Sequence, residues 1–484
     1  AASLNNHSHS GTSMLRLHTL RAAGAALLLT ATLAACNETG DPVGPGEPGA
    51  AVINANITAN RTLYADTVYT LQGFIQVTNG ATLTIQPGTK IQGDYATLGS
   101  SLFITRGARI VANGTAAAPI VFTSSRPAGQ RQAGDWGGLI IIGNGIINRS
   151  GSVVLEGTGT GPSNPAQQYS GGTSNTDNSG TLRYVRVEFA GYATAAAAEL
   201  NSFTFAAVGS GTTLEYLQTM YGLDDSFEFF GGAVDGKYFV SYESGDDHFD
   251  MSEGYVGRLQ YLIAYQSRLV VPRAGAGNTS NDPQLIENDG CAGAGCDLGQ
   301  NSTPFTTPVV ANFTLVGPGT GTDIDATSGG YGMILRRGTG GYYVNGLIAR
   351  TPKGAIGIRD AATQTRITDG FFDMRNVLVV EAPSIFTTAS SGFALSDSVA
   401  RNIVRDAAAT MAQQATTFSL PATTAASFDW TPPGGSLAAS GGLTTFAGNL
   451  ATAAGTFVQG TAFRGAASPG GAKWWAGWTV YVTN

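Results

Sequence analysis

GLDDSFEFFGG (residues 222–232) and SGDDHFDMSEG (residues 244–254) are one acidic phrase written twice at a shift of 22. Laying residues 209–232 over 231–254 sets Gly209 on Gly231, Tyr216 on Tyr238, Asp224 on Asp246, Asp225 on Asp247, Phe227 on Phe249 and Glu228 on Asp250. A unit of this length holds three short strands and three turns, which is one coil of a parallel β-helix. Successive coils then stack by ladder hydrogen bonds about 4.8 Å apart. The expected fold class is all-β: a single right-handed parallel β-helix with three-stranded coils of about 22 residues.

The flanking sequence keeps the same habit. TLYADTVYTLQGFIQV, ATLTIQPGTKIQG, SLFITRGARIVANG and APIVFTS alternate apolar and polar residues over short spans and break at Gly, Asn or Pro, the signature of strands and turns. Further rungs carry insertions: NFTLV at Asn312, NGLIA at Asn345 and NVLVV at Asn376 recur at 33 and 31 residues, and ILRR at Ile334 and GIRD at Gly357 at 23. Asparagines at matched positions suggest amide ladders capping the turns. One stretch reads differently: SDSVARNIVRDAAATMAQQ, from Ser396, has a Ser cap and apolar residues at 399, 400, 403, 404 and 407, the pattern of a short amphipathic helix inserted on the flank. The C-terminal KWWAGWTVYVTN is apolar, and Trp474, Trp475 and Trp478 are expected to cover the open end of the solenoid.

Charged residues make up only 12% of the 484, with 67 glycines, and the net charge is −7. The acidic balance excludes a nucleic-acid partner, which calls for a basic face. Residues 14–35, with Arg16 and Arg21 ahead of an apolar run too short to span a bilayer, form an export signal. Its end, Leu33-Ala34-Ala35-Cys36, resembles the bacterial lipoprotein cleavage box, which implies lipidation of Cys36. Residues 1–13 precede a plausible initiator, Met14, and are set aside as a leader; residues 36–51 are Pro/Gly-rich and read as a tether, leaving 52–484 as the β-helix with its C-terminal cap. Cys291 and Cys296, in CAGAGC, are expected to form a disulfide in an exported compartment, the alternative being two free thiols.

With ATLTIQPGTKI, GARIVANGTAAAPIVFTS and GDWGGLIIIG on the page, residues 52 to about 270 resemble the right-handed β-helix surface lipoproteins of diderm bacteria, and the GWTVY ending fits as well. The resemblance implies an outer-membrane or cell-surface location, a membrane contact through the lipid, and a polysaccharide or another envelope protein as partner. It carries no settled activity.

Strand alternation sorts the acidic phrases. If Phe227, Phe229, Phe249 and Met251 face the core, then Asp224 stacks on Asp246, Ser226 on His248 and Glu228 on Asp250 outside it. Extending by 22 places Ser202 and Arg268 around the first column and Ala206 and Pro272 around the third, which confines the cluster to two coils. Carboxylates about 5 Å apart repel by about 1 kcal/mol per pair in water and more when buried. Compensation could come from Ca²⁺ on Asp224, Glu228, Asp246 and Asp250, from cationic neighbours such as Lys237, Arg258 or Arg268, or from raised carboxyl pKa values. A salt-screened acidic face is the alternative to all three. Glu228 and Asp250 with those cations would then contact a glycan ligand.

The two phrases also resemble, more weakly, the paired aspartate motifs of polygalacturonase-type glycoside hydrolases. That resemblance implies Asp247 as the acid, Asp225 and Asp246 as the water-activating pair, and His248 beside them. The Gly-His-Gly and Arg-x-Lys motifs of that family have no counterpart in YQSRLVVPRAG or the coil after it. A lyase would instead take Arg268 or Arg273 as its base. The leading reading is therefore a lipid-anchored, glycan-binding surface β-helix, with the 271–300 insertion overhanging the acidic coils, and the alternative is a polysaccharide-degrading enzyme.

Overall fold

The computed structural model describes residues 48–387 and 398–481. The export signal, Cys36, most of the expected tether and the start of the expected helix at Ser396 lie outside the described residues. The first strand among the described residues is Gly49–Ile53, which begins slightly ahead of Val52.

Two parallel sheets wind together. Nine short strands, from Phe74–Val77 to Gly354–Ile358, stack into one, and the remaining coil segments form a 17-stranded sheet. The register follows the repeat: Phe227 pairs with Phe249, Thr213 with Asp235, Ile334 with Gly357, and Thr314 with Leu347, which pairs in turn with Leu378. The expectation of three strands per coil takes a specific form. In the early coils Arg109–Asn113 and Ile120–Ser124 are separate strands, and both pair with the single strand Gly180–Glu188 of the next coil. Two strands thus fuse into one long strand bent at a single residue.

That bend has a chemical signature. Tyr184, Tyr216, Tyr238 and Tyr261 occupy it with φ of 49°, 56°, 67° and 67°, and Asn312, Asn345, Asn376 and Asn402 continue the column at 52–60°. Asparagine tolerates left-handed backbone; tyrosine does so at a cost on the order of 1–3 kcal/mol. The tyrosine rings offset this by stacking at centroid distances of 4.3, 4.5 and 5.0 Å. Inside the coils, Phe203, Phe227 and Phe249 stack at 5.3 and 5.1 Å and are fully buried.

Three local expectations are corrected. The 398–414 stretch is a turn, the strand Val404–Asp406 and a single 3-10 turn at Met411–Gln413; Val404 pairs with Leu378, so the stretch adds one more rung, with Ile403 buried and Val399 exposed, rather than a helix. Among the described residues the α-helices are Ala361–Thr368, capped by Asp360 accepting from Thr363 N, and Gly448–Ala454. The asparagines do not form an amide ladder. Asn345 Oδ1 accepts from Leu443 N at 2.6 Å, while Asn312 donates to Thr461 and Gly465, and Asn376 and Asn402 both donate to the Gly441 carbonyl. They hold a C-terminal strap running back along the flank, which ends with Arg186 donating to the Trp478 carbonyl and Gln218 to that of Val480. Trp478, 1% exposed, meets Tyr184 and Tyr216 edge-on and Trp474 packs on Tyr238, so the tryptophans cover the tyrosine column and not the open end.

Candidate functional site

The acidic phrases fall at two tight corners, 222–226 and 244–248, where the long strand of a coil turns into its short one. Close stacking of these corners requires Gly245: a Cβ there would lie 1.9 Å from the Leu223 carbonyl oxygen. The corner also releases Asp225 and Asp247 from strand alternation, so neither enters the apolar core. Asp225 Oδ1 accepts from Asp247 N at 2.8 Å, and Asp247 Oδ1 accepts from Gln284 N at 2.5 Å. The second aspartate of each phrase therefore bolts its coil to the next, while Asp224 and Asp246 stay half-buried facing a cavity.

Beyond the corner, Glu228 pairs with Asp250 as expected, but the column does not stop there. Asp250 pairs with Glu287, in the strand Ile286–Asp289, because 266–284 is an insertion and Pro272 never reaches this register. On the other side Glu228 pairs with Thr204 rather than Ala206. The cluster thus spans three coils, and Asp289 joins it. Glu156, Glu199 and Glu253 close a cavity of about 530 Å³ over it, with 278–281 of the insertion as one wall. Cys291 and Cys296 form the expected disulfide, and their loop is tied to Arg149 and Ser150 by hydrogen bonds from Arg149 Nε to Ala294 O and Ser150 N to Gly295 O.

Several expected site residues lie elsewhere. His248 is 1% exposed and turned away from the cavity: its Nε2 donates to Gln266 Oε1 at 2.6 Å and its Nδ1 accepts from Ser241 Oγ at 2.6 Å. Burial pushes its pKa down to about 3, so it is a neutral spacer beneath the corner. Ser226 also points inward, to Ser244 Oγ at 3.1 Å. Lys237 sits over Phe457 and Arg258 pairs with Asp235 at 2.6 Å, both on the long sheet, and neither lines the cavity. Arg268 donates to Tyr221 Oη and Arg273 to the Tyr95 carbonyl, so neither reaches the carboxylates. Among the described residues the cations lining the cavity are Arg336, which bridges Glu287, Asp289 and Asp282, and Arg337, on Asp289, while Arg149 pairs with Glu253 from outside the lining. The ILRR phrase contained both, but as a rung landmark it gave no reason to bring them to the acidic coils before the insertion length was known.

The charge balance is unfavourable. Asp224, Glu228, Asp246, Asp247, Asp250 and Glu287 are all held well above the usual carboxylate range, first by burial and then by one another. Asp225 is raised by burial and drawn back by hydrogen bonds from Glu228 and the Asp247 amide. Three carboxylate sets, Asp224/Asp225/Asp246, Asp225/Glu228/Asp250 and Asp247/Asp250/Glu287, each bring ligand oxygens within 4.8 Å of one another. Glu228, 3% exposed, leaves Oε1 without any hydrogen-bond partner, and Asp250 Oδ1 and Ser252 Oγ are likewise unpartnered. Buried polar atoms in native folds are nearly always satisfied, so these oxygens mark a place built for a further donor or a cation.

Residues 55–431 match the family model of the pectate-lyase-like β-helix domain. The chain belongs to this family. No curated protein and no solved structure matches it. Membership in the pectate-lyase-like β-helix family fits a glycan-related function. In this pectate-lyase-like β-helix, the tight acidic corners are framed by the longer insertions 189–202 and 266–284, which gives the carboxylates a walled cavity instead of an open flank.

Proposed function

We propose that this protein is an exported, lipid-anchored β-helix that binds an acidic polysaccharide through Ca²⁺ held on the cavity floor. The reading rests most on Glu228 Oε1, buried and unpartnered in the carboxylate set that shares Asp225 with one neighbouring set and Asp250 with the other. An all-oxygen donor set of this density suits a hard cation that accepts six to eight oxygens with loose geometry. Asp224, Glu228, Asp246 and Asp250 would be ligands, joined by Asp225 and Glu287. Bound Ca²⁺ would offset the carboxylate repulsion and leave positive charge facing the opening, where a uronate carboxylate completes the coordination. Cys36 would carry the lipid, placing the cavity at an outer-membrane or cell surface.

Hydrolysis by Asp225, Asp246 and Asp247 is the second reading. Asp246, half-buried in the cavity with a raised pKa, suits a general acid. Asp225 and Asp247 suit it less, since each already spends an oxygen on a backbone amide of the next coil. Calorimetric titration with oligogalacturonate, in Ca²⁺ and in EDTA, separates the readings when joined to an assay for new reducing ends. The expected result is binding tightened at least tenfold by Ca²⁺ with no reducing ends released; Ca²⁺-independent release would replace this reading with the hydrolase. Labelling with radioactive palmitate, lost in Cys36→Ala, is expected for the anchor.

A further inference from the structure

On the far side of the acidic corners, two insertions meet. The 125–137 loop of an early coil and the 266–284 insertion are joined by a bridge between Ala133 and Pro272 and by Arg273 N donating to Ala133 O at 2.9 Å. Leu223, Val270 and Ala276 pack with Ala133 beneath the junction. A second cavity of about 550 Å³ opens there, with Arg126, Arg131 and Arg268 on its walls and the stacked rings of Phe189 and Tyr221, 5.8 Å apart, beside them. In a chain of net charge −7 with 26 Lys and Arg residues, three guanidinium groups around one cavity run against the general balance.

These guanidinium groups are fixed but not used up. Arg268 spends Nη2 on Tyr221 Oη at 2.8 Å, and Arg131 spends only Nε, on the Arg126 carbonyl at 3.0 Å. The terminal nitrogens of Arg131 have no protein partner among the described residues. Arg126 is held by Gln130 O and Gln132 Oε1. The carboxylates nearby are committed. Asp135, fully buried, takes the Ser124 hydroxyl and Gln132 N and meets Arg126 Nε at 3.4 Å, and Glu243 takes Ser267 N at 3.0 Å. The cavity therefore presents net positive charge beside an apolar wall that includes Val271, 72% exposed.

We propose that this groove is a second, Ca²⁺-independent subsite for an anionic sugar, in which Arg131 and Arg268 take the carboxylate and the Tyr221 and Val271 surface takes the C–H face of the ring. Guanidinium forks bind carboxylates in bidentate geometry, and aromatic and aliphatic groups complement a sugar's apolar face. The sugar as ligand rests on the glycan reading above; the anion site does not. The 266–284 insertion walls both cavities, 278–281 one and 268–271 the other, so one polymer passing over it could engage both.

The test is titration of the full chain with oligogalacturonate in EDTA. Wild type is expected to bind weakly and to lose affinity with added salt, since the contact is ionic and exposed to solvent. Arg131→Glu and Arg268→Glu are each expected to weaken binding at least tenfold. Lys237→Glu, the same charge change on the long sheet, leaves it unchanged, and a neutral oligosaccharide of equal length does not bind. If Arg268→Glu melts early, Arg131→Glu carries the test alone, since among the described residues its side chain hydrogen-bonds only to a carbonyl. Equal binding by Arg131→Glu and wild type, equal binding of the neutral sugar, or an absence of binding in EDTA overturns the groove. Failure in EDTA with binding restored by Ca²⁺ removes the groove and leaves the first site standing; binding in EDTA with no response to Ca²⁺ does the reverse.

Discussion

The strands Phe227–Phe230 and Phe249–Ser252 present two faces in one register, and the faces behave oppositely. Inward, Phe227 lies on Phe249 with rings 5.1 Å apart, and each added rung contributes apolar burial and stacking. Outward, Glu228 lies on Asp250 and Asp250 beside Glu287, and each added rung contributes repulsion and desolvation. A solenoid makes every column a stack, so a residue type that suits the core by repetition is costly on the flank by the same repetition. The inner column accounts for the fold. The outer column adds nothing to the fold by itself and calls for compensation, which the proposed cation would supply.

Four substitutions or conditions break or sharpen that contrast. Phe227→Ala removes one ring from the middle of the inner stack and should cost about 3–5 kcal/mol in urea unfolding, since neighbouring rungs fix the cavity it leaves. A loss under 1 kcal/mol would mean that the inner column does not carry the coil. Glu228→Gln should act in the other direction, stabilising the protein in EDTA by about 1–3 kcal/mol, because it removes a buried acidic group that is repelled by Asp250 and whose Oε1 has no hydrogen-bond partner. Destabilisation there would show that the carboxylate is already compensated.

The pH dependence has a defined sign. Carboxyl groups of the unfolded chain ionise near pH 4, whereas those of the cavity titrate well above this in the folded protein and Glu243 is pushed up to about 7 by burial. Between those limits the folded state holds protons that the unfolded state has released, so stability in EDTA should fall as pH rises from about 4 through 7. A melting temperature that is flat or rising over that window contradicts the raised values. The smallest effect is expected for Asn345→Ala, about 1–2 kcal/mol, from lost hydrogen bonds to the strap and from alanine's poorer fit to positive φ. Limited proteolysis should then cut first in the 441–466 stretch.

The repeat made the coil register legible because a shift of 22 is a property of the chain, and strand alternation placed Phe227, Phe249, Glu228 and Asp250 correctly. It failed wherever an insertion changed the count. Glu287 and Asp289 belong to the same flank, yet 37 residues separate Asp250 from its partner Glu287, and no periodicity bridges that interval. Arg268 was misplaced for the same reason, counted onto a rung that the insertion had left. His248 was misread because alternation does not hold at a tight corner, where the side chain turned in to Ser241 and Gln266. The apolar spacing after Ser396 imitated a helix because the run is short, and pairing of Val404 with Leu378 settled it as a rung.

The central claim, that the stacked carboxylates are built around Ca²⁺, is tested most directly by melting wild type and Glu228→Gln at pH 8 with and without the ion. Saturating Ca²⁺ is expected to raise wild-type stability by about 2.7 kcal/mol at a hundredfold excess over Kd and to move the variant far less. A wild type whose melting temperature ignores Ca²⁺, or a variant that gains as much as wild type, contradicts it.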